Sequence, residues 1–183
     1  MIMLKEFKKY IERYNLIDKD DKILLALSGG VDSMVLARLL IMSQRDYETM
    51  SQRMGMQSQS QCHLAFAHCN FHLRGEDSNR DERFVTDFAR ENNIPIYIKH
   101  FDTEAYAKEN SLSIEMAARE LRYNWFKKLK EIHNFDKVAL AHHGDDQIET
   151  FFINMLRGSG IKGLKGMKPQ NDFYIRPMLF SNR

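Results

Sequence analysis

The sequence has few of the residues that mark disulfide-rich, zinc-binding or membrane proteins. Its 183 residues include two cysteines, three prolines and one tryptophan. The two thiols, Cys62 and Cys69, make neither a disulfide framework nor a zinc ligand set. No apolar run approaches the ~20 residues that span a bilayer, and the N-terminus lacks the apolar core of a secretion signal. We therefore expect a cytoplasmic protein without a membrane partner.

Neither positive nor negative charge is in large excess. The chain has 27 basic and 25 acidic residues, and this balance does not by itself indicate a nucleic-acid-binding protein. A hydrophobic content of 43% is enough for one sizeable core, so we expect a single domain over residues 1–183. Because the chain stops just after a predicted strand, we expect it to be the N-terminal fragment of a longer protein. Residues 43–61, rich in Gln, Ser and Met, are predicted to form a mobile insertion.

One stretch combines a strand, a glycine turn and the start of a helix. The apolar run Ile23–Leu27 leads into Ser28-Gly29-Gly30-Val31-Asp32-Ser33, and helical periodicity then extends from Val31 to Met42. Adjacent glycines expose backbone amides, and the first helical turn adds unpaired N–H groups and the positive end of the dipole. The stretch therefore predicts an anion-binding loop, the alternative being that Ser28 or Asp32 only caps a helix. It has neither the lysine of a Walker A loop nor the third glycine of a dinucleotide-binding fold.

Strand-like and helix-like segments alternate along the chain. Strands are predicted at 23–27, 64–67, 94–98, 138–141 and 174–179, the last at a sheet edge. Helices are predicted at 4–14, 31–42, 76–92 and 114–133, and a last helix has its apolar stripe over 148–156. The first helix is predicted to pack on the sheet edge, and the third to bury Phe84, Val85, Phe88 and Ala89. This alternation implies right-handed crossovers and an α/β fold, with a parallel sheet covered by helices on both faces.

Three predicted strands end in polar clusters. The clusters are Ser28–Ser33, His68–Arg74 and His142–Glu149. Because ligands of open α/β sheets bind at the carboxyl ends of the strands, we expect the clusters to converge on one crevice. The third cluster has the carboxylates to hold magnesium or an ammonium group, whereas its spacing does not match a zinc site.

Two further features have both a functional and an ordinary structural interpretation. Glu115, Arg119 and Arg122 share one helix face, where they would either line a site or form an intrahelical ion-pair ladder. Residues 157–168 concentrate four glycines and four cations, which suits either a phosphate-binding loop or a flexible basic one.

These motifs resemble a known family. Ser28–Ser33 match the S-G-G-x-D-S signature of the PP-loop ATP pyrophosphatases, which have a Rossmann-like α/β fold and cleave ATP between its α and β phosphates. Five further blocks are similar to the tRNA(Ile)-lysidine synthetase family within that group: His68–Arg74, Glu115–Arg119 with Arg122-Tyr123, Ala141–Thr150, Arg157–Gly160 and Arg176-Pro177. The resemblance runs over residues 22–179, the catalytic domain of that family. It departs from the pattern at the insertion and at Cys69 and Phe71.

The resemblance implies a ligase that depends on ATP and Mg²⁺. Its substrates would be the isoleucine tRNA with a CAU anticodon and free L-lysine. The ring carbonyl oxygen of the wobble cytidine attacks the α-phosphate and expels pyrophosphate, and the lysine amine then displaces AMP. The resemblance leaves open whether the protein forms a homodimer.

The resemblance also implies roles for individual residues. It implies that ATP binds to Ser28, Gly29, Gly30, Val31, Asp32, Ser33, His68 and Asn70, with Asp32 oriented toward the metal. It implies catalytic roles for Asp32, Arg119 and Asp145, and substrate contacts for His72, Arg74, Glu115, Arg122, His142, His143, Asp146, Glu149 and Arg157. Lysine is assigned to Asp145, with Asp146 and Glu149 as alternatives. His142, His143 and His72 are all open as proton acceptors.

Three other functions compete with this one. A tRNA thiolase of the same superfamily is disfavoured where it needs cysteine ligands for an iron–sulfur cluster. A GMP- or NAD-synthetase-like role leaves the histidine and Arg-Gly-Ser-Gly blocks unexplained. A non-catalytic nucleotide-binding module predicts ATP binding without turnover.

Overall fold

The fold is taken from a computed structural model, which describes residues 2–53, 63–156 and 166–182. The helices are α1 (Ile2–Arg13), α2 (Val31–Arg53), α3 (Glu76–Glu91), α4 (Thr103–Glu109), α5 (Ile114–His133) and α6 (Gly144–Leu156). The strands are β1 (Lys22–Ala26), β2 (His63–Asn70), β3 (Ile96–His100), β4 (Lys137–Ala139), β5 (Gln170–Asn171) and β6 (Tyr174–Ile175).

The strands form one sheet in the order β3-β2-β1-β4-β6-β5. All neighbouring pairs are parallel except β5 and β6, which form an antiparallel pair at the edge. The predicted α/β fold with a parallel sheet is therefore confirmed. Because the chain moves from β1 to β2 in one direction and later to β4 in the other, the carboxyl end of β1 is the switch point where such sheets bind ligands.

Alternate side chains of the central strand enter two separate cores. Leu24 packs with Trp125 and Phe126 of α5 on one face of the sheet. Ile23 and Leu25 pack with residues of α1, α2 and α3 on the other face. This alternation follows from the two-residue period of a strand, and burial on both faces explains why β1 is apolar from Ile23 to Ala26. The predicted cover of helices on both faces is thus confirmed.

Capping residues fix where the helices on the α5 face begin and end. Ser113 Oγ accepts a hydrogen bond from Met116 N at 3.2 Å, which confirms the predicted N-cap of α5. Asn134 ends this helix in the left-handed conformation, with φ of 55°. The sequence patterns missed α4, a short helix that starts where Asp102 Oδ1 accepts a hydrogen bond from Ala105 N.

The structure corrects the predicted start of the insertion and the predicted position of α1. Residues 43–53 continue α2, and residues 54–61 lie outside the described residues. Helix α1 packs on α2, with Lys8 Nζ 2.8 Å from Asp46 Oδ2, and not on the sheet edge. Apolar groups of α1 and α2 share one core, and burial of that contact removes apolar surface from water.

Two smaller predictions also fail. Phe84 is half exposed, whereas Val85, Phe88 and Ala89 are buried, because the buried stripe of α3 is narrower than the sequence pattern indicated. The last predicted strand is not at the edge, since β5 pairs along its outer side. Within the described residues, no helix has the length and apolar character needed to cross a membrane.

Candidate active site

The turn between β1 and α2 is held together by two serines. Ser33 Oγ donates to Gly30 O at 2.8 Å and accepts from Ser28 N at 3.2 Å and from Ser28 Oγ at 3.1 Å. Gly30 N in turn donates to Ser28 Oγ at 3.3 Å. The bonds to the two amides are at the long end of the range, so phosphate oxygens can replace the serine oxygens at modest cost. The turn is thus a preformed loop with amides available to an anion.

Gly29 adopts a conformation that other residues rarely take. Its φ is +89°, and a Cβ atom there would lie 3.3 Å from Asp81 Cβ of helix α3. Both the backbone angle and the close approach of α3 require glycine at this position. Gly30 has no such constraint, because the nearest atom to a Cβ there is Ser28 Oγ at 3.5 Å.

The loop opens into a cavity of about 280 Å³ at the carboxyl end of β1. Side chains from three separate parts of the chain line it: Ser28, Asp32 and Ser33 from the loop, Arg119 and Arg122 from α5, and His142 and Asp146 from the segment after β4. Cys69 and Phe71 of the second polar cluster complete the wall. The expected convergence of the three clusters on one crevice is therefore present.

A smaller cavity of about 160 Å³ lies on the other side of Ser28. His68, Asn70 and Arg74 line it. His68 Nδ1 donates to Leu27 O at 2.8 Å, and Asn70 Nδ2 donates to Glu82 Oε2 at 2.7 Å. These bonds brace the turn between β1 and α2 and the end of β2, so both predicted ligand-binding residues also support the walls of the site.

His143 connects the loop to the acidic start of α6. The ring is buried, and its Nε2 lies 3.7 Å from Asp32 Oδ2. Asp146 Oδ2 accepts His143 N at 2.8 Å, and Asp146 N donates to His143 Nδ1 at 3.4 Å. Because Nδ1 accepts that amide, the ring proton is on Nε2 and faces Asp32. Asp145 Oδ2 is 3.8 Å from the same ring, so three carboxylates surround one imidazole.

His142 and Arg176 each contain a buried nitrogen with no hydrogen-bond partner among the described residues. The atoms are His142 Nδ1 and Arg176 Nε. Burial lowers the pKa of His142, and the positive charge of Arg176 lowers it further, while Asp146 opposes the shift. Burial also lowers the pKa of Arg176 from its high normal value. His142 is therefore neutral at physiological pH beside a charged guanidinium.

The two arginines of α5 are held by aromatic rings. The Arg119 guanidinium lies 5.0 Å from the Tyr123 ring centre, and that of Arg122 lies 5.2 Å from the Phe71 ring centre. In the described part of the chain, Glu115 forms no ion pair with either arginine, so the ladder interpretation is not supported. Both arginines are positioned by cation–π contacts and remain free to bind an anion at the cavity.

Other predicted residues lie outside the larger cavity. His72 Nε2 is 2.9 Å from His100 Nδ1, and His100 Nε2 is 3.1 Å from Glu82 Oε2. The sequence offered no signal for His100 or Glu82, because neither belongs to a motif. Glu115 and Glu149 are exposed. Arg157 lies outside the described residues.

The acidic groups of the cavity are suited to a magnesium ion that binds together with the phosphates of a substrate. Among the described residues, no group of three or more His, Cys, Asp or Glu side chains is placed to hold a metal ion. Magnesium is commonly bound by one or two carboxylates together with substrate phosphates and waters. Asp32, on the cavity wall at the start of α2, can supply one such carboxylate.

Comparison with known proteins gives a consistent family likeness. A family model for a PP-loop domain matches residues 2–183. A tRNA(Ile)-lysidine synthase from Bacteroides thetaiotaomicron is 49% identical over 175 residues, covering 96% of this chain and 37% of that protein. A tRNA(Ile)-lysidine synthase from Parabacteroides distasonis is 43% identical over 181 residues, covering 99% and 37%. The chain thus spans well under half the length of these curated relatives.

Solved structures are similar at the level of the fold. A U34-tRNA thiolase from Methanococcus maripaludis, with its iron–sulfur cluster, superposes with a TM-score of 0.70 at 20% identity, covering 96% of this chain and 59% of that chain. An NH3-dependent NAD synthetase from Campylobacter jejuni gives 0.55 at 13% identity, covering 96% and 65%. At these identities the likeness concerns the fold alone.

Proposed function

We infer the function from one premise: the chain belongs to the PP-loop domain family. We propose that it is the ATP-binding catalytic domain of a tRNA(Ile)-lysidine synthase. The observation that carries the proposal is the shared cavity, where an amide-lined loop, two arginines and an acidic helix start meet. The 49% identity to the Bacteroides thetaiotaomicron relative over 96% of this chain supports the choice of substrates.

The first step transfers AMP to the target base. The ring carbonyl oxygen of the wobble cytidine attacks the α-phosphorus of ATP, and the bond from that phosphorus to pyrophosphate breaks. Amides of the Ser28–Gly30 turn and the hydroxyl of Ser33 stabilise the charge that grows on pyrophosphate. Magnesium, held by Asp32 and the phosphates, would supply further positive charge at the leaving group.

The arginines of α5 act on the phosphate that is being transferred. Arg119 and Arg122 carry permanent charge, and both line the cavity next to the loop. A planar guanidinium matches the equatorial oxygens of an α-phosphate under attack. We assign Arg119 to this role, with Arg122 beside it against Phe71.

The second step joins lysine to the activated base. The side-chain amine attacks the ring carbon, a carbon–nitrogen bond forms, and AMP leaves with the oxygen. The carboxylates at the start of α6 bind the positive charge of the amino acid. Of these we assign the lysine contact to Asp145, in the first turn of α6, with Asp146 and Glu149 as the alternatives.

Sulfur transfer is the second candidate, suggested by the fold of the thiolase. Cys69 is the described cysteine at the cavity, and burial raises the pKa of its thiol to about 12. A thiol that stays protonated at neutral pH is a poor nucleophile and a poor metal ligand. This favours the ligase over the thiolase.

The test uses the full-length protein that contains this chain. Incubation with ATP, Mg²⁺, labelled lysine and the CAU-anticodon isoleucine tRNA is expected to release pyrophosphate and to label the tRNA in equal amounts. The methionine tRNA with the same anticodon is the matched control. Pyrophosphate release without lysine incorporation would point to a different modification, and ATP binding without release would point to a non-catalytic module.

A further inference from the structure

Four residues line both the larger and the smaller cavity. They are Ser28, Cys69, Phe71 and Arg122. Arg122 is the permanent cation of this set, and its guanidinium carbon lies 5.2 Å from the centre of the Phe71 ring. Phe71 and Arg122 therefore stand together where the two cavities meet, and a shift of the Arg122 side chain would change the wall of both.

The Phe71 ring is fixed by contacts that do not involve Arg122. It stacks on the Phe101 ring, with the ring centres 5.4 Å apart and an angle of 19° between the planes. The Phe71 carbonyl oxygen accepts a hydrogen bond from Thr103 Oγ1 at 3.2 Å. Phe101 and Thr103 are both buried, so these contacts come from the interior of the domain. Phe71 is thus a rigid support, and Arg122 is the side chain that rests on it.

A closed ring of hydrogen bonds joins the two residues that flank Phe71. Asn70 Oδ1 accepts from His72 N at 3.0 Å, and Asn70 Nδ2 donates to Glu82 Oε2 at 2.7 Å. The same Glu82 oxygen lies 3.1 Å from His100 Nε2, and His100 Nδ1 lies 2.9 Å from His72 Nε2. His72 has a φ of 54°, a conformation that residues other than glycine rarely adopt. The hydrogen bonds offset this strain and fix the backbone that carries the Phe71 ring.

Arg122 needs a support because a second cation lies beside it. Arg119 is three residues earlier on α5 and lines the larger cavity as well. Like charges at this spacing repel each other, and a long cationic side chain gains hydration when its charged end turns out toward water. Cation–π attraction to the face of Phe71 opposes both effects, and it strengthens where water is excluded. The ring thus keeps the Arg122 charge at the cavity wall before an anion binds.

We propose that Phe71 is a positioning residue for the reaction, because it holds the Arg122 guanidinium at the wall shared by the two cavities, in place for a phosphate oxygen of ATP. A planar cation and an amide-lined loop on the walls of one cavity suit the negatively charged oxygens of a phosphate. Phe71 is a position where this chain departs from the family pattern, so the resemblance implies no role for it. The inference rests on the proposed function for the identity of the substrate.

A double-mutant cycle in the full-length protein tests the support. Phe71→Leu removes the aromatic face and keeps an apolar side chain, and it is expected to lower kcat/KM for pyrophosphate release about threefold to thirtyfold. Arg122→Gln removes the charge. The double variant is expected to lose no more activity than Arg122→Gln alone, because Phe71 then has no cation to hold. If the two losses multiply, Phe71 acts through packing and the proposal is wrong.

Two further variants separate the cation–π contact from general packing. Phe71→Tyr keeps an aromatic face and is expected to stay within about twofold of the wild-type kcat/KM. Phe173→Leu is the matched control, because the Phe173 ring centre lies 5.1 Å from Lys130 Nζ and the residue lines neither of the two cavities. It should also stay within about twofold. No loss in Phe71→Leu, or an equal loss in either of the other two variants, would overturn the proposal.

The position of Arg122 can also be measured without turnover. Nitrogen-15 spectra of arginine-labelled protein report the mobility of each Nε–H group, and the Arg122 signal is identified by its loss in Arg122→Gln. The order parameter of this group is expected to be above about 0.7 in the wild type and below about 0.6 in Phe71→Leu. Urea denaturation establishes that the variant is folded, and Phe71→Met takes its place if leucine prevents folding. An Arg122 signal that is equally ordered in the folded variant would contradict the positioning role.

Failure of this inference differs from failure of the proposed function. If wild-type protein neither releases pyrophosphate nor transfers lysine, the ligase assignment is wrong, and the Arg122 spectra still decide whether Phe71 holds the guanidinium. If the wild type does both and Phe71→Leu matches it, only the role of Phe71 is wrong.

Discussion

His143 Nε2 lies 3.7 Å from Asp32 Oδ2, and this contact joins the two helix starts that face each other across the crevice. Asp32 belongs to the first turn of α2, and His143 directly precedes α6. The buried imidazole thus faces the Asp32 carboxylate from the other side of the crevice. The contact between the ATP loop and the acidic end of α6 thus gives the Asp32 carboxylate a defined direction.

Asp32→Asn is expected to lower kcat for pyrophosphate release about a thousandfold, because an amide cannot replace a carboxylate beside a metal-bound phosphate. The carboxylate is 29% exposed, so its removal should change the free energy of unfolding by about 1 kcal/mol or less. Pyrophosphate release and urea denaturation measure the two quantities. Wild-type turnover in this variant would contradict the metal-binding role of Asp32.

Gly29→Ala is expected to destabilise the protein by about 1–2 kcal/mol and to raise the KM for ATP, because alanine is strained at φ of +89° and its Cβ approaches Asp81 at 3.3 Å. Gly30→Ala is the matched comparison, since no positive φ is required there and the nearest atom is 3.5 Å away. Thermal denaturation and ATP titration should show a smaller effect for Gly30→Ala. Similar effects in both variants would mean that the Gly29 conformation is not important.

The order of strands and helices could be predicted from the sequence because each element has its own local pattern. The strand–turn–helix around Ser28 and the N-cap at Ser113 depend on residues a few positions apart, and both are as expected. Strand β5 was missed because two residues carry no periodicity. Helix α2 was predicted to end too early, because its second half lacks an apolar stripe even though the structure keeps it helical.

The site was predictable in its components but not in their contacts. Motifs at strand ends identified Asp32 and His142, since chain topology brings those ends to one edge, and a helix-face motif identified Arg119. The partners that tune these groups come from elsewhere in the chain. Arg176 near His142 and Glu82 against Asn70 depend on packing between distant segments, which no local pattern records.

Asp145→Asn is expected to raise the KM for lysine at least tenfold while the KM for ATP changes less than twofold, because the loss of one carboxylate weakens an ammonium contact and leaves the phosphate loop intact. Asp87→Asn is the control, since Asp87 is exposed on α3 and pairs with Arg90. It should change neither constant. Steady-state kinetics with each substrate varied in turn provide the measurement. An equal rise in both constants for Asp145→Asn would show that the residue does not select lysine.

Cys69 is expected to resist thiol reagents in the folded protein, because burial raises the pKa of its thiol to about 12. In a Cys62→Ala background, iodoacetamide at pH 8 should label Cys69 at least ten times more slowly than it labels the unfolded chain.

The raised pKa of the Cys69 thiol also makes the stability of the protein fall with rising pH. The unfolded thiol ionises near its ordinary pKa of 9.0 while the folded thiol stays neutral, so ionisation stabilises the unfolded state and the free energy of unfolding falls from pH 9 up to about 12. Cys69→Ala should lose this part of the pH dependence, measured by urea denaturation at pH 8 and pH 10. Rapid labelling at pH 8 would contradict the protonated thiol and would reopen sulfur chemistry at the cavity.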